Sequence, residues 1–574
     1  MRLSCMRYVT LCIGFLLICS ILWHSAAAQP CVIQEVCPDT YLPEDADEYV
    51  IISGSPDVIT YALTDGEGTI SFPGPFPEKS RITVAREAAS YYSVYEEYPD
   101  FEIINTVPGI PDVSATQSFR LANTGDELTL LTDGLVTDRI SWPNDFCCRR
   151  GQIHFRDVNG EWDSRVLMIG QSRLNPVQAD KVSGVAFLSP DCSREVLLTV
   201  IRDAKEELLV NVYEFTDLEI ADSLCAAHAR GVSVSVLIEG GPVGGVSDEE
   251  KNVIFRLLSC GITVWQMGTV SESHAPYRYD HAKYIVADAH HVLVTSENFT
   301  RHSLPPAGIV GNRGWGLLLD DNTIAAYYRE LFRQDSSGPG ISSILGEEHV
   351  PVPFCNQTYQ PRFFPLSFTN ATISIVVSPD TSSMVTDMIN TAEESVFIEQ
   401  AYIKKMPDGS LHPYLSAAID AARRGVTVRV LLDSYWYNIE GAFDNDEMVS
   451  LLNTIKMDED LLLEARCIDL ASTNLLKVHT KGVVVDKHKV LVSSINWNEN
   501  SPTFNRETGI IIDHPDVGAY YAFAFQSDWD GTGAGGTVPG QGNKKDQDPV
   551  RLAALGIVIL LLLVLLVVRK RRYR

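Results

Sequence analysis

Cations are scarce in this chain. Its 574 residues carry 46 Lys+Arg against 74 Asp+Glu, a formal net charge of -28 at pH 7. A surface of that sign repels polyanions at long range, which argues against a protein that coats nucleic acid in bulk and leaves room for a local basic pocket. No C-x-x-C spacing occurs among the twelve cysteines, so no metal cluster is read from them. Nor is the composition biased: apolar residues make up 45% and charged residues 21%, which excludes a mostly disordered or fibrous chain. The length exceeds what one hydrophobic core supports, and three or four domains are expected.

The ends carry long apolar runs. Residues 1–28 hold Arg2 and Arg7, an apolar stretch from Leu11 to Trp23, and Ala26-Ala27-Ala28. That order predicts a signal peptide cut before Gln29. At the other end, residues 552–568 are uncharged and strongly apolar, and a basic tail follows at 569–574. This predicts a single-pass membrane helix with a cytoplasmic C-terminus and the rest of the chain outside the cell. The tether before it, 531–550, holds a literal G-x-G-x-x-G at Gly531, Gly533 and Gly536. With no strand before it and no helix packing back after it, the motif reads as flexible linker rather than a dinucleotide site.

Removal of the signal leaves nine cysteines, an odd number, so at least one thiol is unpaired. Cys31 and Cys37 are near enough in sequence to bridge, and the adjacent Cys147 and Cys148 could reach different partners. Cys225, Cys260 and Cys467 lie in apolar surroundings typical of buried thiols. The acidic cluster Glu44-Asp45-Asp47-Glu48 reads as a solvated face sooner than a calcium site. Of the glycosylation sequons, those at Asn356 and Asn370 are better candidates than Asn298.

Residues 41–145 read as all-β, with short apolar runs broken by Gly, Pro and Asp turns. From 180 to 530 the chain repeats itself. LSPDCSREVLLTVIRDAKEE (188–207) matches VSPDTSSMVTDMINTAEES (377–395), and AAHARGVSVSVLIE (226–239) matches DAARRGVTVRVLLD (420–433). Asp and Ser open each helix as candidate caps, and buried strands follow. Two α/β units are predicted, at 180–335 and 365–530, built on a central sheet.

Each unit ends in one constellation. The first copy holds His281, Lys283, Asp288, Ser296 and Asn298; the second holds His479, Lys481, Asp486, Ser494 and Asn496. Both read H-x-K-x4-D followed by S-x-N. One copy would occur by chance in about one in eight chains of this composition, but two at matching repeat positions do not. The tandem His290-His291 falls on an expected hairpin and reads as solvent-facing.

This pair resembles the two HKD motifs of the phospholipase D superfamily, over about 350 residues. The stretch from Phe119 to Trp142 is similar to the closing strands of a lamin-tail domain, a small immunoglobulin-like sandwich. The resemblance implies an α/β fold of two similar halves about a pseudo-twofold axis, with one site built from both, preceded by that sandwich. It also implies a phosphohistidine intermediate on the first motif, hence His281 as nucleophile and His479 as acid. The residues agree. Histidine and lysine two apart on a strand face one side, one neutral imidazole can attack phosphorus and one protonated imidazole can supply a proton. Lys283, Lys481, Asn298 and Asn496, with Ser296 and Ser494, are expected to hold the phosphoryl oxygens, with no cofactor and no metal. The family places a glutamate downstream to orient a catalytic histidine. NRETG (505–509) supplies Glu507, expected to hold the ring of its own half, His479, but the matching NRGWG (312–316) has Gly314.

The expected protein is a membrane-anchored extracytoplasmic phosphodiesterase, with phospholipid ahead of nucleic acid as substrate. A non-catalytic surface-binding protein with a degenerate motif pair is the alternative from another class.

Overall fold

The computed structural model describes residues 31–531, apart from 54–59, 73–80, 117–118, 148, 158, 164, 270–273, 339, 351–356 and 442. The expected signal segment at 1–28, all but Gly531 of the glycine-rich stretch 531–550 and the apolar stretch 552–568 lie outside the described residues.

Tyr61–Thr64 and Thr69–Phe72 alternate buried and wetter side chains, as strands with one solvated face must. With Ser114–Thr116, Thr124–Thr132 and Leu135–Cys147 they form a five-stranded sheet. A six-stranded sheet faces it, and Leu63, Ile70, Leu128 and Leu130 share one core with Ile33, Val50, Ile52 and Val84. The strands extend beyond 41–145, taking in Ile33–Cys37, Gln152–Phe155 and Leu167–Met168. The region is not purely β. Arg81–Glu87 pairs in parallel with Phe101–Ile104, which demands a crossover, and helix Ala88–Tyr95 supplies it. The acidic cluster is not a solvated face: Asp45, Asp47 and Glu48 are buried, Asp47 accepts from Thr40 Oγ1 at 2.5 Å, and Glu48 lies 3.6 Å from Arg86.

The two repeats share a single 15-stranded sheet. Its centre is the antiparallel pair Gln178–Ser189 and Leu366–Ser378. Outward on one side come Gly314–Asp320, His291–Thr295, Lys283–Ala287, Glu207–Val212, Ser233–Glu239 and Thr263–Met267. On the other come Glu507–Asp513, Lys489–Ser493, Lys481–Val485, Ser395–Gln400, Thr427–Leu432 and Leu463–Cys467. The order is the same read from the centre in either direction, which makes the pair a pseudo-twofold; Ile341–Ser343 closes one edge. Continuous apolar runs such as Tyr284–Ala287 and Gly482–Val485 are buried throughout, because helices cover both faces. One core spans both halves, and each half has a second of its own.

The aspartates that open the repeats do not cap helices. Asp191 and Asp380 instead accept from Arg313 and Arg506, two fully buried guanidinium groups. Arg313 also donates to Asp528, at 2.6 Å, and Arg506 to Asp335, at 2.9 Å, so each arginine ties a carboxylate from both halves. Such a pair is costly to break, since removing the cation strands buried charge.

Other expectations are corrected. Cys225 and Cys260, expected as buried thiols, form a disulfide that joins helix Leu218–Ala229 to the C-terminal end of helix Asp248–Ser259. Cys31 and Cys37 do not bridge: their sulfurs approach Tyr61 Oη and the Gln152 carbonyl. Among the described residues no helix is long and apolar enough to cross a membrane. The membrane helix of the expected fold class and the single-pass localisation are therefore not retained, the segment expected to span lying outside the described residues, while the two α/β repeats about a pseudo-twofold stand.

Candidate active site

Each motif histidine precedes its strand by two residues, and there the chain crosses to the other half. The His281 amide donates to the Arg506 carbonyl at 2.8 Å, and the Arg506 amide donates to Tyr279 at 2.9 Å. The mirror crossing joins His479 to Arg313 at 2.8 Å and Arg313 to Lys477 at 2.8 Å. Residues 505–507 are thereby laid against His281, and 312–314 against His479.

This crossing reverses the expected pairing of carboxylate and ring. Glu507 Oε2 lies 2.7 Å from His281 Nδ1, not against His479. His479 Nδ1 is held by Glu297, at 3.2 Å from Oε1. Both glutamates are fully buried, and an asparagine steadies each: Asn505 donates to Glu507 at 3.1 Å, Asn312 to Glu297 at 3.4 Å. A carboxylate accepting from Nδ1–H leaves Nε2 with its lone pair, the tautomer that attack requires.

The lysines are buried beside the rings. Lys283 Nζ donates to the His281 carbonyl at 2.6 Å and Lys481 Nζ to the His479 carbonyl at 2.7 Å, which leaves each ammonium two further N–H groups. Tyr213 stacks its edge on His281, with ring centroids 4.7 Å apart, and Lys283 Nζ stands 5.2 Å from the Tyr213 centroid. Asn298 donates to Glu214 at 3.1 Å, and the side-chain oxygens of Asn298 and Asn496 are buried without a partner.

Other motif members are used elsewhere. Ser296 and Ser494 accept from the Trp315 and Thr508 amides, at 3.1 and 3.0 Å, and so fasten neighbouring strands. Asp288 accepts from the amides of Lys205, Glu206 and Glu207, and Asp486 from those of Glu393, Glu394 and Ser395. Both hold the turn at the far end of the strand, with φ of 54° and 49°, roughly 20 Å from the histidines at strand rise. His290, His291 and Asp320 gather at that far end.

Burial sets the protonation states. It pushes His281 down to about 4, against the pull of Glu507 and with help from Lys283. His479 is pushed well below its ordinary value by burial, then by Lys481, Lys477 and Lys283. Lys283 falls to about 8, and Lys481 is also lowered, again by burial first. That Lys283 acts on His479 as well as on His281 places both halves in one electrostatic site.

Glu297, Asn312 and Asn505 were not singled out from the sequence. Their signal lies in the repeat itself: where one half has Glu297 and Gly314, the other has Ile495 and Glu507.

A model of the family described as "Cardiolipin synthase, PLD-like domain" matches residues 197–336 and 385–529, one match per repeat. The matched residues do not include the N-terminal sheets. A phospholipase D of Rickettsia conorii is 30% identical over 140 residues, 24% of this chain, and the chain spans 60% of the length of that relative. Among solved structures, the phosphatidylserine synthase of Haemophilus influenzae is similar at 12% identity, with a TM-score of 0.44 over 61% of this chain and 88% of that one. The phospholipase D family member Nuc of Salmonella typhimurium is 20% identical, with a TM-score of 0.24 over 30% of this chain and 100% of its own. The two repeats of this chain belong to the phospholipase D-like family.

Proposed function

We propose that the chain is a phosphodiesterase working through a phosphohistidine, with phospholipid as its substrate. One observation carries the reading: two histidines from opposite halves, each tied at Nδ1 to a buried glutamate and flanked by a buried lysine. His281 Nε2 attacks phosphorus as the P–O bond to the alcohol breaks, and the leaving oxygen takes a proton from His479 Nε2. Water then attacks the P–N bond's phosphorus and returns a proton to His479, which frees His281 and the phosphate product. Lys283 and Lys481 hold the non-bridging oxygens with their remaining N–H groups. Burial holds both imidazoles neutral, and the negative charge of the arriving phosphodiester favours the proton that His479 must carry.

Three things support lipid. The net charge disfavours long polyanions. The family description and the named relative both concern lipid phosphodiesters. Beside the site the exposed Trp436 and Tyr437 pack ring to ring, and Tyr437 accepts from Lys477, two residues before His479, at 2.9 Å. The test is product release from phosphatidylcholine vesicles and from single-stranded DNA, with His281→Ala as control. Release of headgroup by the wild type alone is expected. Release of nucleotides instead makes the protein a nuclease, and release of neither leaves the surface-binding reading.

A further inference from the structure

The two halves reach the same hydrogen bond by different residues. In the second half the carboxylate stands in the strand at Glu507, and the facing position is the fully buried Ile495. In the first half the strand position is Gly314, and the carboxylate comes from the position facing it, Glu297. The backbone does not demand this glycine, since Gly314 lies outside the left-handed region. Its neighbour does. A Cβ at 314 would stand 2.2 Å from Glu297 Oε1 and 2.4 Å from Glu297 Cγ, well inside contact distance. A side chain at 314 and a glutamate at 297 therefore exclude one another.

The supports of the two carboxylates correspond. Ser296 and Ser494 both accept from an amide of the next strand, the Asn312 and Asn505 side chains both donate to the carboxylate, and both glutamates are fully buried. The carrier of the carboxylate is what changes.

We infer that Glu297 is the positioning residue for His479, and that Glu297 and Gly314 are one exchangeable unit: the carboxylate can be moved to 314 once 297 is vacated. This rests on the reading of His479 as the proton donor. It acts through the imidazole, fixing which nitrogen is protonated, and need not touch substrate.

The experiment uses the full chain as wild type, Glu297→Ile, Gly314→Glu, the double variant and the near-isosteric Glu297→Gln. Turnover of an alkyl phosphodiester is measured, together with the tautomer of the His479 ring by nitrogen-15 NMR, its signal identified by loss in His479→Gln. Each of Glu297→Ile and Gly314→Glu alone should lower turnover about 100-fold, a general-acid contribution, and the double variant should recover to within about 10-fold of wild type. In Glu297→Gln the ring should lose its preference for the proton on Nδ1. A folded double variant no faster than Glu297→Ile overturns the exchange, and an unchanged His479 tautomer in Glu297→Gln overturns the positioning role. Should the double variant fail to fold, the exchange is likewise overturned, and the tautomer still decides the role of Glu297. A wild type inert on every phosphodiester sinks the catalytic reading, while the NMR arm still reports the Glu297–His479 bond.

Discussion

The two halves of the site carry the same strands in the same order, and side by side they separate what is required from what is incidental. Both place a carboxylate at Nδ1 of the partner's histidine, steadied by an asparagine two residues before the Gly314 or Glu507 position. They differ in which residue bears it, and in the first half the Glu297 side chain fills the space at 314, so that only glycine fits there. The halves also differ around the histidines. Tyr213 packs on His281, where the second half has Ala401, and the Glu507 contact is 0.5 Å shorter than the Glu297 contact, at 2.7 against 3.2 Å. Their helices are fastened differently too. Cys225–Cys260 joins one pair covalently, while Arg423 meets Glu459 with two hydrogen bonds of 2.7 Å across the corresponding pair. What both halves keep is the position of an oxygen atom beside an imidazole; the residue that supplies it is free to change.

The hardest test of two halves serving one phosphate removes a ring from either. Ala at His281 or at His479 should lower turnover by about four orders of magnitude, and the double variant should lose little more, because the pair acts as a unit. Half of wild-type activity in either single variant would mean two independent sites.

A smaller effect separates the roles. Glu507→Gln disturbs His281, so formation of the covalent adduct should slow by about two orders of magnitude even with nitrophenyl esters, whose leaving groups need no proton. Glu297→Gln disturbs His479 and should spare the nitrophenyl burst while slowing alkyl esters. Burst-phase kinetics on both substrates, with the adduct mapped by mass spectrometry, read the difference. An adduct on His479 would exchange the two roles.

The pH profile sharpens the same contrast. Attack needs neutral His281, and burial holds that ring neutral down to about pH 4, so the acid limb of the nitrophenyl burst should lie near 4 rather than near 6.5. The alkaline limb should fall near 8, where Lys283 loses its proton and with it the charge on the phosphoryl oxygens. An acid limb at 6.5 would mean that His281 is solvated in the working enzyme.

The smallest effects on activity should come from the motif aspartates and the helix fastenings. Asp288→Ala strands three amides at a turn far from the rings, and should cost about 1–3 kcal/mol in urea unfolding with kcat unchanged. Loss of kcat in protein that is still folded would return Asp288 to the site. Reduction of Cys225–Cys260 should lower stability by about 2–4 kcal/mol, whereas Arg423→Ala, on an exposed pair, should leave Tm unmoved.

Much of this architecture is legible in the chain. Glycine stops, apolar strands and helical spacing recur at matching places, and the two H-x-K-x4-D runs mark where each half does its chemistry; all are local patterns whose periods of 2 and 3.6 follow from backbone geometry. Even the Glu–Gly and Ile–Glu exchange is written there, once the copies are aligned. Its meaning is not, because a repeat shows which positions correspond and not which ones touch. The central strands pair about a twofold axis, so the chain ahead of each histidine meets the other half, and Glu507 serves a ring 226 residues before it. The same folding sends Asp288 and Asp486 to the far ends of their strands and commits Ser296 and Ser494 to neighbouring amides. Spacing along a strand decides which side a residue faces, but a hydrogen bond across the axis depends on how the two halves are set against each other in their shared sheet, and only their packing decides that.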